Sequence, residues 1–112
     1  MGVALARKGD LDRAIAEFRE ALSLNPKDEL AHANLGAALG QNGDIDGDIA
    51  EEREALRLNP NNASVHASLG DALEQKGDRQ GAQDEYHTAS TLDPKNANYK
   101  QNYDRLMQEV RR

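Results

Sequence analysis

The sequence predicts an all-α solenoid of stacked antiparallel helix pairs, and three observations carry that prediction. Gly9, Gly43 and Gly77 lie 34 residues apart, as do Gly2, Gly36 and Gly70, and also Pro26, Pro60 and Pro94; a fixed period of this size marks a repeat architecture. Gly2 to Asp28 laid over Gly36 to Asn62 agrees at 16 of 27 positions, and Glu29 to Asn62 over Ala63 to Asn96 at 15 of 34. Against nine glycines and three prolines stand 17 alanines, so the chain is rich in the best helix former and poor in helix breakers. Leu, Ile, Val and Phe total only 20 of 112 residues, below the roughly 20% at which a charged chain is suspected of disorder. The period changes the meaning of that count, because Gly and Ala at fixed positions let helices approach closely and act as core.

Residues 1–28 form a truncated first repeat. Its opening helix is expected to run about a turn and a half to Gly9, where a glycine able to take positive φ stops it. Asp10 then caps a second helix, whose apolar stripe is Leu11, Ala14, Ile15, Phe18, Ala21 and Leu22. That helix ends at Asn25-Pro26, since proline lacks an N–H and disfavours helical geometry in the residue before it. The second repeat, residues 29–62, follows the same plan, with Ala31, Leu35, Ala38 and Leu39 leading to Gly43 and Asp44 opening a helix that stops before Pro60. The third, residues 63–96, does so with Gly77, Asp78 and Pro94.

Residues 97–112 read as a C-terminal capping helix: Tyr99, Tyr103, Leu106, Met107 and Val110 make one apolar stripe, with polar residues elsewhere. Asp104 stands where Gly36 and Gly70 stand, so no further helix is expected to pack closely there. Each pair leaves apolar surface that its neighbour covers. The face of the first repeat that carries Phe18 is expected to lack its partner, and a patch of that kind marks a contact.

The net charge of -6 divides as 0 over residues 1–28, -5 over 29–62, -3 over 63–96 and +2 over 97–112. An acidic balance argues against nucleic acid, whose backbone needs clustered Lys and Arg. No apolar run approaches the ~18 residues of a membrane span. The absence of cysteine removes disulfides, thiolate metal sites and thiol nucleophiles. A soluble chain is expected, with the cytoplasm favoured as its compartment. No Ser/His/Asp grouping and no phosphate-cradling glycine loop is found, so neither an enzyme nor a cofactor or metal requirement is expected. Asn42, Asp44, Asp46, Gly47 and Ile49 fit the early positions of a calcium loop, but Arg53 replaces the bidentate Glu that ends it.

The second repeat departs from the other two. Where the first has Ala14 and Phe18, it has Asp48 and Glu52, four apart on the helical face that should pack on the preceding helix near Leu35 and Gly36. Two buried carboxylates without partners repel each other and cost several kcal/mol. Three arrangements answer this: the helix shifts or opens so both reach water; the acids find cations across an oligomer interface or from His32 and His66; or His32, Asp48 and Glu52 hold a metal. His32 and His66, in the same phase, otherwise read as half-buried space-filling rings, and His87 receives no role.

A 34-residue helix-turn-helix with Leu-Gly in its first helix, Gly-Asp at the turn, Ala at two points of the second helix and Pro near its end resembles the tetratricopeptide repeat. The corresponding small residues are Gly2, Gly36 and Gly70, then Ala14 and Ala82, then Ala21, Ala55 and Ala89, with Phe18 and Tyr86 as the aromatic. The resemblance spans essentially the whole chain and implies a right-handed superhelix whose first helices line a concave face. On that face it places Leu30, Ala33, Asn34, Ala37 and Gln41, then Ser64, Ala67, Asp71 and Gln75, then Asn98, Gln101 and Arg105. Amides such as Asn34 suit hydrogen bonding to a peptide backbone, or else support their own repeat. The family's clamp for a terminal carboxylate needs basic and amide residues where this chain has Ala33, Ala37, Ser64 and Ser68, so that clamp is not expected.

These features imply a protein-interaction scaffold that takes a peptide or helical segment of a partner on its concave face. The alternatives are a self-assembly module, with Phe18, Asp48 and Glu52 as candidate homo-oligomer contacts, or the repeat region of a larger enzyme. The partner's identity is not legible in the sequence.

Overall fold

Regular punctuation by Gly, Asp and Pro divides the chain into short capped helices. The computed structural model describes residues 2–111, with side chains described for 8–109. It contains α1 (Gly2–Leu24), α2 (Glu29–Gln41), α3 (Ile45–Leu58), α4 (Ala63–Lys76), α5 (Arg79–Leu92) and α6 (Ala97–Arg111), and no strand among the described residues. Asp44 and Asp78 cap α3 and α5 by accepting from the Gly47 and Gly81 amides at 2.8 and 2.9 Å. Asp28 and Asn62 do the same for α2 and α4 through the Ala31 and Val65 amides. Each cap satisfies one of the amides that a helix N-terminus leaves without a partner. Gly43 and Gly77 turn the chain between paired helices at φ 92° and 95°, a region costly for any residue with a Cβ.

The first repeat differs from its sequence expectation. No turn forms at Gly9, which lies inside the continuous 23-residue α1, and Asp10 is an exposed mid-helix residue rather than a cap. The reason is energetic. A glycine turn is stabilised by packing between the two helices it folds together, and Gly2–Leu24 forms one helix and no such pair. Propagating the helix adds a hydrogen bond per residue and needs no such partner.

Successive helices pack in chain order, and α2 also touches α4 directly. The radius of gyration is 15.0 Å, above the roughly 13 Å of a spherical domain of this length, as expected when each repeat touches only its neighbours. The core falls into two clusters. Ile15, Leu35, Ala38 and Leu39 form one, with Leu11, Phe18 and Leu22 against it. Ile49, Leu69, Leu73, Ala82, Tyr86 and Leu106 lead the other, joined at its edge by Ile45, Leu56 and Tyr103. The division runs through the second repeat, between α2 and α3. Phe18 is half-buried against the first cluster, so its face is not left without a partner as expected. Leu106, fully buried, seats α6 on α5, with Tyr99, Tyr103 and Met107 half-buried on the same stripe; the side chain of Val110 lies outside the described residues.

Candidate binding site

In the third repeat the packing of α5 on α4 is built on a missing side chain. A Cβ on Gly70 would lie 2.9 Å from the ring of Tyr86, which is 1% exposed. The Tyr86 hydroxyl donates to Asp71 and, at 3.2 Å, to Glu74. Burial and these two carboxylates raise its pKa above the usual value. Arg105 of α6 grips Glu74 with two bonds of 2.7 and 2.8 Å, and this hydrogen bonding holds the Glu74 carboxyl below its ordinary range. One network thus ties α4, α5 and α6 together.

The second repeat inverts this arrangement. Glu52 takes the place of the aromatic ring, its Cγ 3.0 Å from where a Cβ on Gly36 would be. Asp48 takes the place of Ala82, and its carboxylate lies over Gly40, where any Cβ would collide with it. The helix positions that carry Asp71 and Glu74 in the third repeat are Ala37 and Gly40 here. The acids have moved from the first helix of the pair to the second, and the first helix has been emptied to receive them. That exchange is visible in the sequence as Gly40 opposite Asp48, a pairing that reading each helix separately does not reveal.

Helix α3 is regular and neither carboxylate escapes to water in the way the first arrangement required: Asp48 is 9% exposed and Glu52 1%. Asp48 Oδ1 and Glu52 Oε2 are buried without a hydrogen-bond partner. Burial first, then the neighbouring Asp48 carboxylate, pushes Glu52 up to about 9, opposed only by a hydrogen bond from Ser68. Burial also raises Asp48, a hydrogen bond with Glu52 partly offsets this, and the Asp71 and Asp44 charges add to it. The histidines do not supply the cation. His32 Nε2 donates to the Pro26 carbonyl at 2.8 Å while Nδ1 faces Glu51 at 3.3 Å; His66 does the same with Pro60 at 2.8 Å and Glu85 at 3.1 Å. Each ring therefore staples a loop to the second helix of its own pair, and His32 is turned away from the metal set that would have joined it to Asp48 and Glu52. His87 stacks at a tilt on Tyr103, ring centres 5.0 Å apart.

A cavity of about 260 Å3 opens where α2, α3 and α4 meet. It is lined by Ala37, Gly40 and Gln41 of α2, Asp48 and Glu52 of α3, and Ser68, Asp71, Ala72 and Gln75 of α4. Four of the twelve positions expected on the binding face are therefore brought around one cavity. Of the twelve, Ala33 and Ala67 are half-buried and the other ten exposed, Leu30 with 62% of its surface. Asn34 and Ser64 are exposed on α2 and α4, and Asn98 and Gln101 on α6, while Arg105 is engaged by Glu74. Of the three candidate oligomer contacts, Phe18 packs within its own core cluster, and Asp48 and Glu52 face this cavity.

A TPR repeat model matches residues 2–43 and a tetratricopeptide repeat model matches residues 63–96. The chain belongs to the tetratricopeptide repeat family. Among solved structures, the first TPR of Spaghetti (RPAP3) bound to the HSP90 peptide SRMEEVD superposes with a TM-score of 0.87 at 17% identity, over 99% of this chain and 88% of that one. The Arabidopsis OM64 TPR domain gives 0.84 at 21% identity, covering 96% and 89%. MamA gives 0.85 at 22% identity, covering 98% of this chain and 64% of that one. At these identities the likeness is one of fold. No curated protein matches the chain in sequence. The span between the two repeat models, residues 44–62, is the one that contains Asp48 and Glu52. Among the described residues no helix of this TPR protein is long and apolar enough to cross a membrane.

Proposed function

We propose that the chain is a protein-interaction module that takes an extended or helical segment of a partner along the exposed faces of α2, α4 and α6. The observation that supports this most is the phase of those faces. At 34-residue intervals the first helix of each unit turns small and polar side chains outward, and α2 and α4 share a cavity lined by four of them. Small residues leave room for a ligand backbone, and Asn34, Gln41, Gln75 and Gln101 offer it amide donors and acceptors. The structural neighbour named above holds an acidic HSP90 peptide; here Ala33, Ala37, Ser64 and Ser68 occupy the positions where a terminal carboxylate would need basic and amide groups, so the ligand proposed for this chain is of a different chemistry.

The test is a selection from a random peptide display library, followed by amide chemical-shift mapping of the bound peptides. Shifts gathered at Ala37, Gln41, Ser64, Asp71, Gln75, Asn98 and Gln101 support the reading. Shifts gathered on the outer faces of α3 and α5 refute it.

A further inference from the structure

The cavity between α2, α3 and α4 contains carboxylates that the fold leaves uncompensated. Asp48 and Glu52 are each more than nine-tenths buried, both line the cavity, and each has one oxygen without a hydrogen-bond partner. Burial raises the pKa of both, and the Asp71 charge adds to it on each; on Asp48 a hydrogen bond with Glu52 partly offsets the rise and the Asp44 charge adds to it. No Lys or Arg is among the residues that line the cavity, and Lys76 pairs with Asp46 and Arg105 with Glu74. Asp71 gives one oxygen to the Tyr86 hydroxyl and stands at the edge of the same cavity.

Size and shape narrow the occupant. About 260 Å3 is below the roughly 300–1,000 Å3 of pockets for drug-sized ligands, and it suits one side chain. Ala37 and Ala72 give apolar contact for a methylene stem, and Gln41 and Gln75 add amide oxygens as acceptors. A planar guanidinium presents several donors in a fixed fork, matches paired carboxylates, and is more weakly hydrated than an ammonium, so it enters a buried site at lower cost.

We propose that this cavity receives the guanidinium of an arginine on the partner segment, with Asp48 and Glu52 as its carboxylate ligands and Asp71 at its mouth. The proposal rests on the reading of α2 and α4 as the binding face. It gives that face a sequence preference opposite in sign to that of an acidic-peptide binder. It also gives the acidic exchange in the second repeat a purpose that stability alone does not. Glu52 carries a proton at neutral pH, so an entering guanidinium displaces it to solvent and binding strengthens as pH rises. The titratable groups concerned are Asp44, Asp48 and Glu52 from α3 and its cap and Asp71 from α4 with its partner Tyr86; the α2 residues facing the site, Gly36, Ala37, Gly40 and Gln41, do not titrate.

The probe is N-acetyl-arginine amide, titrated into the whole chain by amide chemical-shift mapping, with N-acetyl-citrulline amide as the neutral isostere. The expected result is saturable shifts at Ala37, Gly40, Ser68 and Ala72, with the arginine probe at least ~10-fold tighter than citrulline, as charge-assisted pairing requires. Affinity should rise from pH 6 to pH 9, and both effects should vanish in D48A/E52F, which restores the residue pattern of the first repeat. D48N/E52Q keeps the shape and should lose the charge preference. Equal binding of arginine and citrulline, affinity that falls with pH, or pocket shifts produced by calcium chloride and not by the arginine probe would overturn the proposal. The peptide-library mapping tests the binding face separately: peptides that bind α2 and α4 without a basic residue would keep that face and remove the arginine site.

Discussion

Replacing Asp48 by Ala and Glu52 by Phe should stabilise the protein, and by an amount that depends on pH in a defined direction. Burial moves Glu52 from an ordinary 4.5 up to about 9. The folded state therefore holds a proton that the unfolded chain releases near pH 4.5, and stability is lost progressively between the two values as pH rises. At ~1.4 kcal/mol per pH unit, the loss between pH 5 and pH 8 is about 4 kcal/mol. The side chain is 1% exposed, so solvent screening does not reduce this figure much. A domain of this size is stable by only about 5–15 kcal/mol, which makes the effect a large fraction of the whole. Phe at position 52 adds about 1.5–3 kcal/mol of apolar burial over Gly36. Tyr is the poorer choice there, because its hydroxyl would point at Ala37 and Gly40 in place of Asp71 and Glu74. Urea unfolding followed by far-ultraviolet circular dichroism at pH 5, 6.5 and 8 measures both chains. The variant should be the more stable at every pH, and the gap should widen toward pH 8. A gap that is constant or narrows with rising pH would show that Glu52 does not hold its proton in the folded state and would refute the reasoning.

Gly9→Ala and Gly77→Ala should act in opposite directions in thermal melts. Gly9 is helical with nothing within 4 Å of an added Cβ, so alanine should gain up to ~1 kcal/mol, whereas Gly77 at φ 95° should lose ~1–2 kcal/mol. Equal effects would mean that α1 breaks at Gly9 after all. Tyr86→Phe removes the hydroxyl shared by Asp71 and Glu74 and should cost ~1–3 kcal/mol in urea unfolding. Leu106→Ala, at a fully buried site, should cost ~2–5 kcal/mol and loosen α6, read as faster amide exchange in Ala97–Arg111 than in α2.

The positions of Gly43, Gly77, Asp44, Asp78 and the three prolines were sufficient for the period, for the turns between α2 and α3 and between α4 and α5, and for the ends of α3 and α5, because capping, positive φ and the missing proline N–H act within a few residues of chain. The helix α6 was equally legible, since its apolar stripe repeats at helical spacing. Local signals failed at Gly9, where the same Gly-Asp pair lies inside one continuous helix instead of between two packed ones. They failed also at Asp48 and Glu52. The sequence marked both as anomalous, yet whether they open the helix, find a cation or stay buried depends on residues distant in the chain. Gly40 makes the room, the histidines are held by Glu51 and Glu85, and Ser68, Asp71 and Gln75 close the cavity from the next repeat. A sequence specifies what its own turn of helix can do; where charge, space and partner come from three helices, only their packing decides.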